Sequence, residues 1–238
     1  GSKITLLIQR PGETKPRKIE FRRQKIQVSP VSYYGALPSG YGYIALTSFP
    51  NTAASEVKKA FLELKEKHHI KGLILDLRDN GGGLIDEAIK IVNFFVPAGE
   101  EVVTTRGRNA RLQETIYKTT DKPLDTEIPL VVLINAQSAS SSEIVSGALQ
   151  DLDRAVVMGV KSYGKGLVQT TMQLPYDGTI KLTTAKYYIP SGRCIQRIDY
   201  HSLREGKGAT ILPDSLTKVF HTRAGREVRD AGGILPDI

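Results

Sequence analysis

Twice in this chain a six-residue, almost wholly apolar run passes straight into a turn of small residues and then into a helical pattern. Residues 72–77 (GLILDL) lead into RDNGGG (78–83), with a helix expected from residue 84 to 95. Residues 129–134 (PLVVLI) lead into NAQSASSS (135–142), with a helix expected over 143–151. A strand with one solvated face would alternate apolar and polar side chains. A run apolar at both parities instead suits a strand covered on both faces, as in parallel sheets. Strands alternating with helices predict an α/β fold with partly parallel pairing.

The other segments are ordered around these two units. Residues 3–10 and 17–29 read as strands joined by the turn Pro11, Gly12, Glu13. Residues 33–37 read as loop, with Pro38, Gly40 and Gly42 beside them, and 43–49 as an apolar strand. Asn51 or Thr52 can cap a helix reaching Lys67, because Val57, Phe61 and Leu64 recur at helical spacing. A strand over 155–159 precedes SYGKG (162–166), and 168–189 reads as a hairpin around Tyr176, Asp177 and Gly178. Beyond Ser191 the sequence pattern assigns no order.

With 238 residues, 40% of them hydrophobic, the chain can build one substantial core. No stretch approaches the roughly 20 apolar residues of a membrane span, and no secretory signal opens the chain. The initial Gly1-Ser2 reads as a cloning remnant, and the chain as a piece of a longer protein. The net charge of +8 is concentrated in residues 1–30, where eight cations face two anions. Those cations alternate with Ile19, Phe21 and Ile26, which is the pattern of a strand with one solvated face rather than a nucleic-acid stripe. The lone Cys194 cannot form an internal disulfide, and the histidines at 68, 69, 201 and 221 show no metal-ligand spacing, so no metal is expected.

Chemistry concentrates at the two strand–turn–helix junctions. In RDNGGG the glycine amides beside a helix start can hold an anion or a developing oxyanion, or the segment can be only a tight turn. At the second junction Ser140 stands where a strand turns into a helix, a place that suits a nucleophile. Ser140 with Glu143 is equally a capping box, in which the serine merely satisfies helix amides. No GxSxG elbow is present, and no histidine offers a Ser-His-Asp partner. A lysine can replace histidine as base when burial brings its pKa to roughly 7–8. Lys165, flanked by glycines after an apolar strand, is the candidate, though it also reads as an exposed loop lysine.

The blocks NAQSASSSEIVSGALQD and RAVVMGVKSYGKGLVQT resemble the C-terminal processing peptidases, also called tail-specific proteases. RDNGGG, KLTTAKYYIPSGR and the closing GGILPDI resemble the same family, so the likeness covers most of residues 40–238. It implies a crotonase-like core of stacked ββα units over 31–238. It makes residues 1–30 an N-terminal strand extension left over from a PDZ domain and its linker. It implies Ser140 as nucleophile, Lys165 as general base 25 residues later, and Gln169 as the residue orienting the lysine. The Ser141 amide, with that of Gly82 or Gly83, would form the oxyanion hole, and Asp151 would give structural support. Ser141 stands where alanine is more usual.

The resulting expectation is a serine endopeptidase working through an acyl-enzyme near protein C-termini, with no metal or organic cofactor. Its partners would be proteins or peptides with accessible tails, with no nucleic acid. Assembly into a homo-oligomer is left open. The family implies a periplasmic or cell-envelope location. The alternatives are a non-catalytic peptide-binding or scaffold protein on the same fold and, by fold analogy alone, an acyl-CoA-handling enzyme.

Overall fold

The structure, a computed structural model, describes residues 1–26, 28–108, 114–199, 210–211 and 217–238; His201 lies outside them. Chain order begins with β1 (Lys3–Ile8), β2 (Arg17–Arg22), β3 (Val31–Ala36), β4 (Gly42–Leu46), α1 (Ala53–His68), β5 (Leu73–Asp76) and α2 (Ile85–Asn93). It continues with β6 (Glu101–Gly107), β7 (Glu114–Lys118), β8 (Leu130–Ile134), α3 (Ser141–Asp151), β9 (Val156–Gly159), β10 (Leu167–Gln173) and β11 (Thr179–Tyr188). Four short strands close it: β12 (Ile198–Asp199), β13 (Thr210–Ile211), β14 (Val219–His221) and β15 (Glu227–Arg229).

The two apolar runs become β5 and β8, neighbours at the centre of a five-stranded sheet ordered β3-β4-β5-β8-β9. Pairing is parallel from β4 to β9, with Leu73 opposite Leu130 and Val131 opposite Val156, and β3 joins antiparallel. Leu73, Leu75, Leu77, Val132 and Ile134 are buried in the core, whereas Ile74, Val131 and Leu133 on the other face are half-buried, so the covering expected on both faces is complete on one. The α/β class read from those runs is therefore the one observed. In α1, Val57, Phe61 and Leu64 all turn inward, and Phe61 meets the Phe95 ring edge-on with centroids 5.5 Å apart. A second sheet, ordered β10-β11-β6-β7, is antiparallel throughout.

Several expectations change. Residues 33–37, read as loop, belong largely to β3, because Tyr33 and Tyr34 are good strand formers that pair against β4. The turn signals act one step later, where Gly40 N–H bonds the Leu37 carbonyl at 2.9 Å. Thr52 occupies the N-cap of α1, but its side chain makes no cap hydrogen bond. Glu87, from α2, takes the Ala54 N–H at 2.8 Å instead, a tertiary cap that no local pattern reveals. Helix α3 starts at Ser141, two residues before the expected 143, since the capping serine itself ends the turn. The stretch 101–118, unassigned from the sequence, supplies β6 and β7. β1 and β2 pair with each other as expected, but both faces are exposed rather than one, because no described element packs on them.

The Phe61–Phe95 contact gives a direct test of the helical layer. Phe61→Ala should lower unfolding free energy by about 3–5 kcal/mol in urea denaturation, since a fully buried ring leaves a cavity that the sheet cannot refill.

Candidate active site

Because β5 and β8 are parallel neighbours, the turns that follow them emerge side by side at the carboxyl edge of the sheet, where α/β folds place ligands. The side chain of Asn135 and the main-chain carbonyl of Asn80 lock the two turns together. Asn80 donates to the Leu46 carbonyl at 2.7 Å and accepts the Gly82 N–H at 2.9 Å, while its own carbonyl takes the Ala139 N–H at 3.0 Å and the Ser142 hydroxyl at 2.8 Å. Asn135 returns the tie, accepting the Asp79 N–H at 3.0 Å and donating to the Asp79 carboxylate at 2.9 Å. Ser138 donates to the Leu77 carbonyl at 2.7 Å.

Gly82 lies so close to the serine turn that a Cβ there would stand 2.7 Å from both the Ala139 carbonyl oxygen and Ser140 Cβ. Its φ of +94° is also a conformation that side chains disfavour. Gly82, and Gly83 against the Phe49 carbonyl, are thus required by close approach, while Gly81 has open space around it. The Ser141 hydroxyl donates to the Gly83 carbonyl at 3.0 Å, so the serine found where alanine is more usual adds another tie between the turns.

Ser140 itself adopts φ 57° and ψ −116°, a strained backbone for a residue other than glycine, of the kind that clusters at functional sites. The Ser140–Glu143 pair has the reciprocal arrangement of a capping box, yet the Glu143 N–H directs its bond to the Ser140 carbonyl at 2.8 Å. The Ser140 hydroxyl makes no cap hydrogen bond to the helix and faces the cleft, where its partner is the Tyr187 hydroxyl. The capping-box reading therefore holds for the glutamate and not for the serine hydroxyl.

Glu143 is buried, and its carboxylate gathers four donors. They are the Ser162 hydroxyl at 2.6 Å, the Gly164 N–H at 2.7 Å, the Lys165 N–H at 2.8 Å and the Ser140 N–H at 2.9 Å. Burial pushes its carboxyl above the ordinary 4.5, against the pull of these donors toward the charged form. The Tyr187 hydroxyl donates to the Lys165 carbonyl, so the lysine backbone is held from both sides. Burial also drives the Tyr187 phenol well above its ordinary range, so it stays protonated as a donor.

Ser140, Lys165, Gln169, Gly82 and Gly83 all line one cleft of about 510 Å³, with Leu84, Leu167, Val168 and Tyr187 among its walls. Ser141 is fully buried immediately behind it. Among the described residues the Lys165 amine has no ion-pair partner, and no hydrogen bond joins it to the Ser140 hydroxyl or to Gln169. The Gly82 amide is taken by Asn80, whereas among the described residues the Ser141 and Gly83 N–H groups have no acceptor. Asp151 lies away from the cleft. It bonds the fully buried Arg193 at 2.8 Å and the Ser191 N–H at 3.0 Å, anchoring the SGR turn, and burial raises its carboxyl. Two contributors had no distinct signal in the sequence. Tyr187 reads as one of two adjacent strand tyrosines, and Asn80 as a turn residue.

The profile of Peptidase family S41 matches residues 40–202. This chain belongs to peptidase family S41. It is 43% identical over 203 residues to a carboxy-terminal-processing protease of Bartonella bacilliformis, covering 83% of this chain and 45% of that protein. A probable CtpA-like serine protease of Staphylococcus aureus strain N315 is 37% identical over 215 residues, covering 90% of this chain and 40% of the other. Among solved structures, the photosystem II D1 C-terminal processing protease superposes with a TM-score of 0.63 at 31% identity, over 90% of this chain and 55% of that one. The S41 chain described here thus spans less than half the length of these curated relatives.

Two outcomes test this architecture. Gly82→Ala should destabilise the S41 core by about 1–3 kcal/mol in chemical denaturation, because it adds positive-φ strain to a clash with the serine turn. For Glu143 the relevant window runs upward from 4.5 to its raised folded value. Within it the folded chain holds a proton that the unfolded chain has released, so stability falls as pH rises. Melting temperature followed against pH should show that decline in the wild type and lose this contribution in Glu143→Gln, which itself costs about 2 kcal/mol through misdirected buried donors.

Proposed function

We propose that this chain is the catalytic core of a serine endopeptidase that cuts polypeptides near their C-termini through an acyl-enzyme. The observation that carries the proposal is the convergence in one cleft of a strained Ser140, a Lys165 with no ion pair among the described residues and Gly83, with the Ser141 amide directly behind the serine. Lys165 Nζ takes the proton from Ser140 Oγ, and Oγ attacks the scissile carbonyl. The oxyanion lies against the Gly83 N–H and the Ser141 N–H, the latter at the start of α3, where the helix dipole adds to its effect. Of the two glycines expected at this position, Gly83 is favoured, because Asn80 occupies the Gly82 amide.

Lys165 then protonates the leaving amine. The carbonyl carbon is now an ester of Ser140. A water, deprotonated by Lys165, attacks that ester and restores the hydroxyl. Gln169, on the cleft wall, would steer the lysine toward the serine once substrate brings the groups together. Residues 31–238 form this unit and residues 1–30 an appendage, in keeping with a β1–β2 hairpin that pairs only with itself. The names of the relatives support C-terminal processing as the reaction and a serine protease as the enzyme class, and a periplasmic or cell-envelope location rests on the family resemblance alone. Among the described residues no helix is long and apolar enough to cross a membrane.

Hydrolysis of unfolded casein should fall by at least about 10³-fold in both Ser140→Ala and Lys165→Ala, each remaining folded by circular dichroism. A fluorophosphonate probe should add to Ser140 in the wild type. Casein cleavage surviving in Ser140→Ala would displace the nucleophile. A folded wild type inert to both casein and probe would leave a binding protein.

A further inference from the structure

We propose that the outer edge of β10 is the docking strand for the substrate, an extended polypeptide segment that adds to the β10-β11-β6-β7 sheet as one more strand. The inference rests on the peptidase reading of the same cleft and specifies how a chain is laid across it. β10 is the terminal strand of that sheet, and among the described residues no strand pairs with its other side. It begins two residues after Lys165, and its first three residues, Leu167, Val168 and Gln169, line the cleft with Ser140. From Gln169 to Gln173 every residue is exposed.

A free strand edge is a template for any chain that can pair with it, and proteins usually blunt such edges with charges or proline. The sequence of β10, LVQTTMQ, contains neither. The opposite edge of the same sheet, β7, carries Glu114 and Lys118. Among the described residues the β10 edge is therefore unprotected on the side that runs into the cleft. A β-bulge falls between Val168 and Gln169, where the strand meets the cleft, and bulges bend strands and re-aim them beside active sites.

Seven residues of strand span roughly 23 Å, long enough to hold six or seven residues of a partner. Bonding would be main chain to main chain, which gives affinity without selecting side chains. Selection then falls to the cleft walls, where Leu84, Ile85, Leu167 and Val168 favour an apolar side chain next to the scissile bond.

The test uses the full chain carrying Ser140→Ala, saturated with reduced, carboxymethylated casein and followed by amide hydrogen exchange. Exchange over residues 167–173 should slow at least tenfold while residues 114–118 at the other edge stay unchanged. A casein-derived decapeptide carrying N-methyl groups at successive positions should lose binding at alternate positions only. Casein binding without protection in β10, or N-methyl losses without alternation, overturns the docking mode even where the wild type cleaves casein. Protection of β10 in Ser140→Ala, with casein left uncleaved by the folded wild type, upholds the docking mode while removing the peptidase reading.

Discussion

The geometry of this site depends on one buried carboxylate. Glu143 accepts from the backbone of Ser140 and, 25 residues along the chain, from the backbone of Lys165, with Gly164 and Ser162 completing its shell. A carboxylate removed from water is costly unless donors replace its hydration, and here four do. The arrangement works in both directions. The donors make the burial tolerable, and the carboxylate fixes two segments that no strand pairing joins. Moving either segment would strip acceptors from buried N–H groups, so serine and lysine are held in register by a constraint on their main chains. Their side chains are not joined by a hydrogen bond, and Ser140 partners Tyr187 instead.

The remaining ties surround this centre. α3, buried along all eleven residues, presents its amino end to the cleft, and Tyr187 clasps the Lys165 carbonyl. The C-terminal segment closes the same region from below. Ile234 N–H bonds the Ser162 hydroxyl at 2.6 Å, and Asp237 accepts the Val157 N–H at 2.8 Å. Ser162 thus passes a constraint from the chain's last residues to Glu143, and so to both groups proposed for catalysis. Asp151 and Arg193 do similar work farther off. Their fully buried pair fixes the SGR turn after β11, the strand that carries Tyr187.

The strain at Ser140 has a place in the same scheme. A left-handed backbone at a serine costs of order 1–3 kcal/mol and persists only where neighbours over-determine it. The Asn80 and Asn135 staples, the close approach of Gly82 and the Glu143 clasp supply that over-determination. Their effect is to turn the Ser140 hydroxyl away from the helix amides and toward Tyr187 in the cleft, beside a first helix amide that has no acceptor among the described residues. A relaxed N-cap would have consumed the hydroxyl in satisfying α3, and the turn would then have no nucleophile to present.

Much of this could be read in the sequence, for physical reasons. A strand flanked by neighbours and at least partly covered on both faces tends to be apolar at both parities, so GLILDL and PLVVLI read as central parallel strands, although only one face of each is fully buried. Small residues must follow where two turns pack against each other, so RDNGGG and SASSS mark the sheet's carboxyl edge. Ser140, Lys165 and Gln169 stood out because their neighbours match a specific family pattern. Other features depend on contacts between residues distant in the chain, and no local pattern encodes those. Glu143 reads as a helix cap until the fold brings Gly164 and Lys165 to it, and α1 is capped by Glu87, 33 residues from the amide it serves. Which glycine amide stays free was decided by the Asn80 side chain, and Tyr187 entered the site only because β11 crosses behind Lys165. The sequence determined the elements and the chemistry they could carry; the tertiary structure decided which hydrogen-bonding groups were satisfied and which remained open, because satisfaction is settled only when separate segments meet.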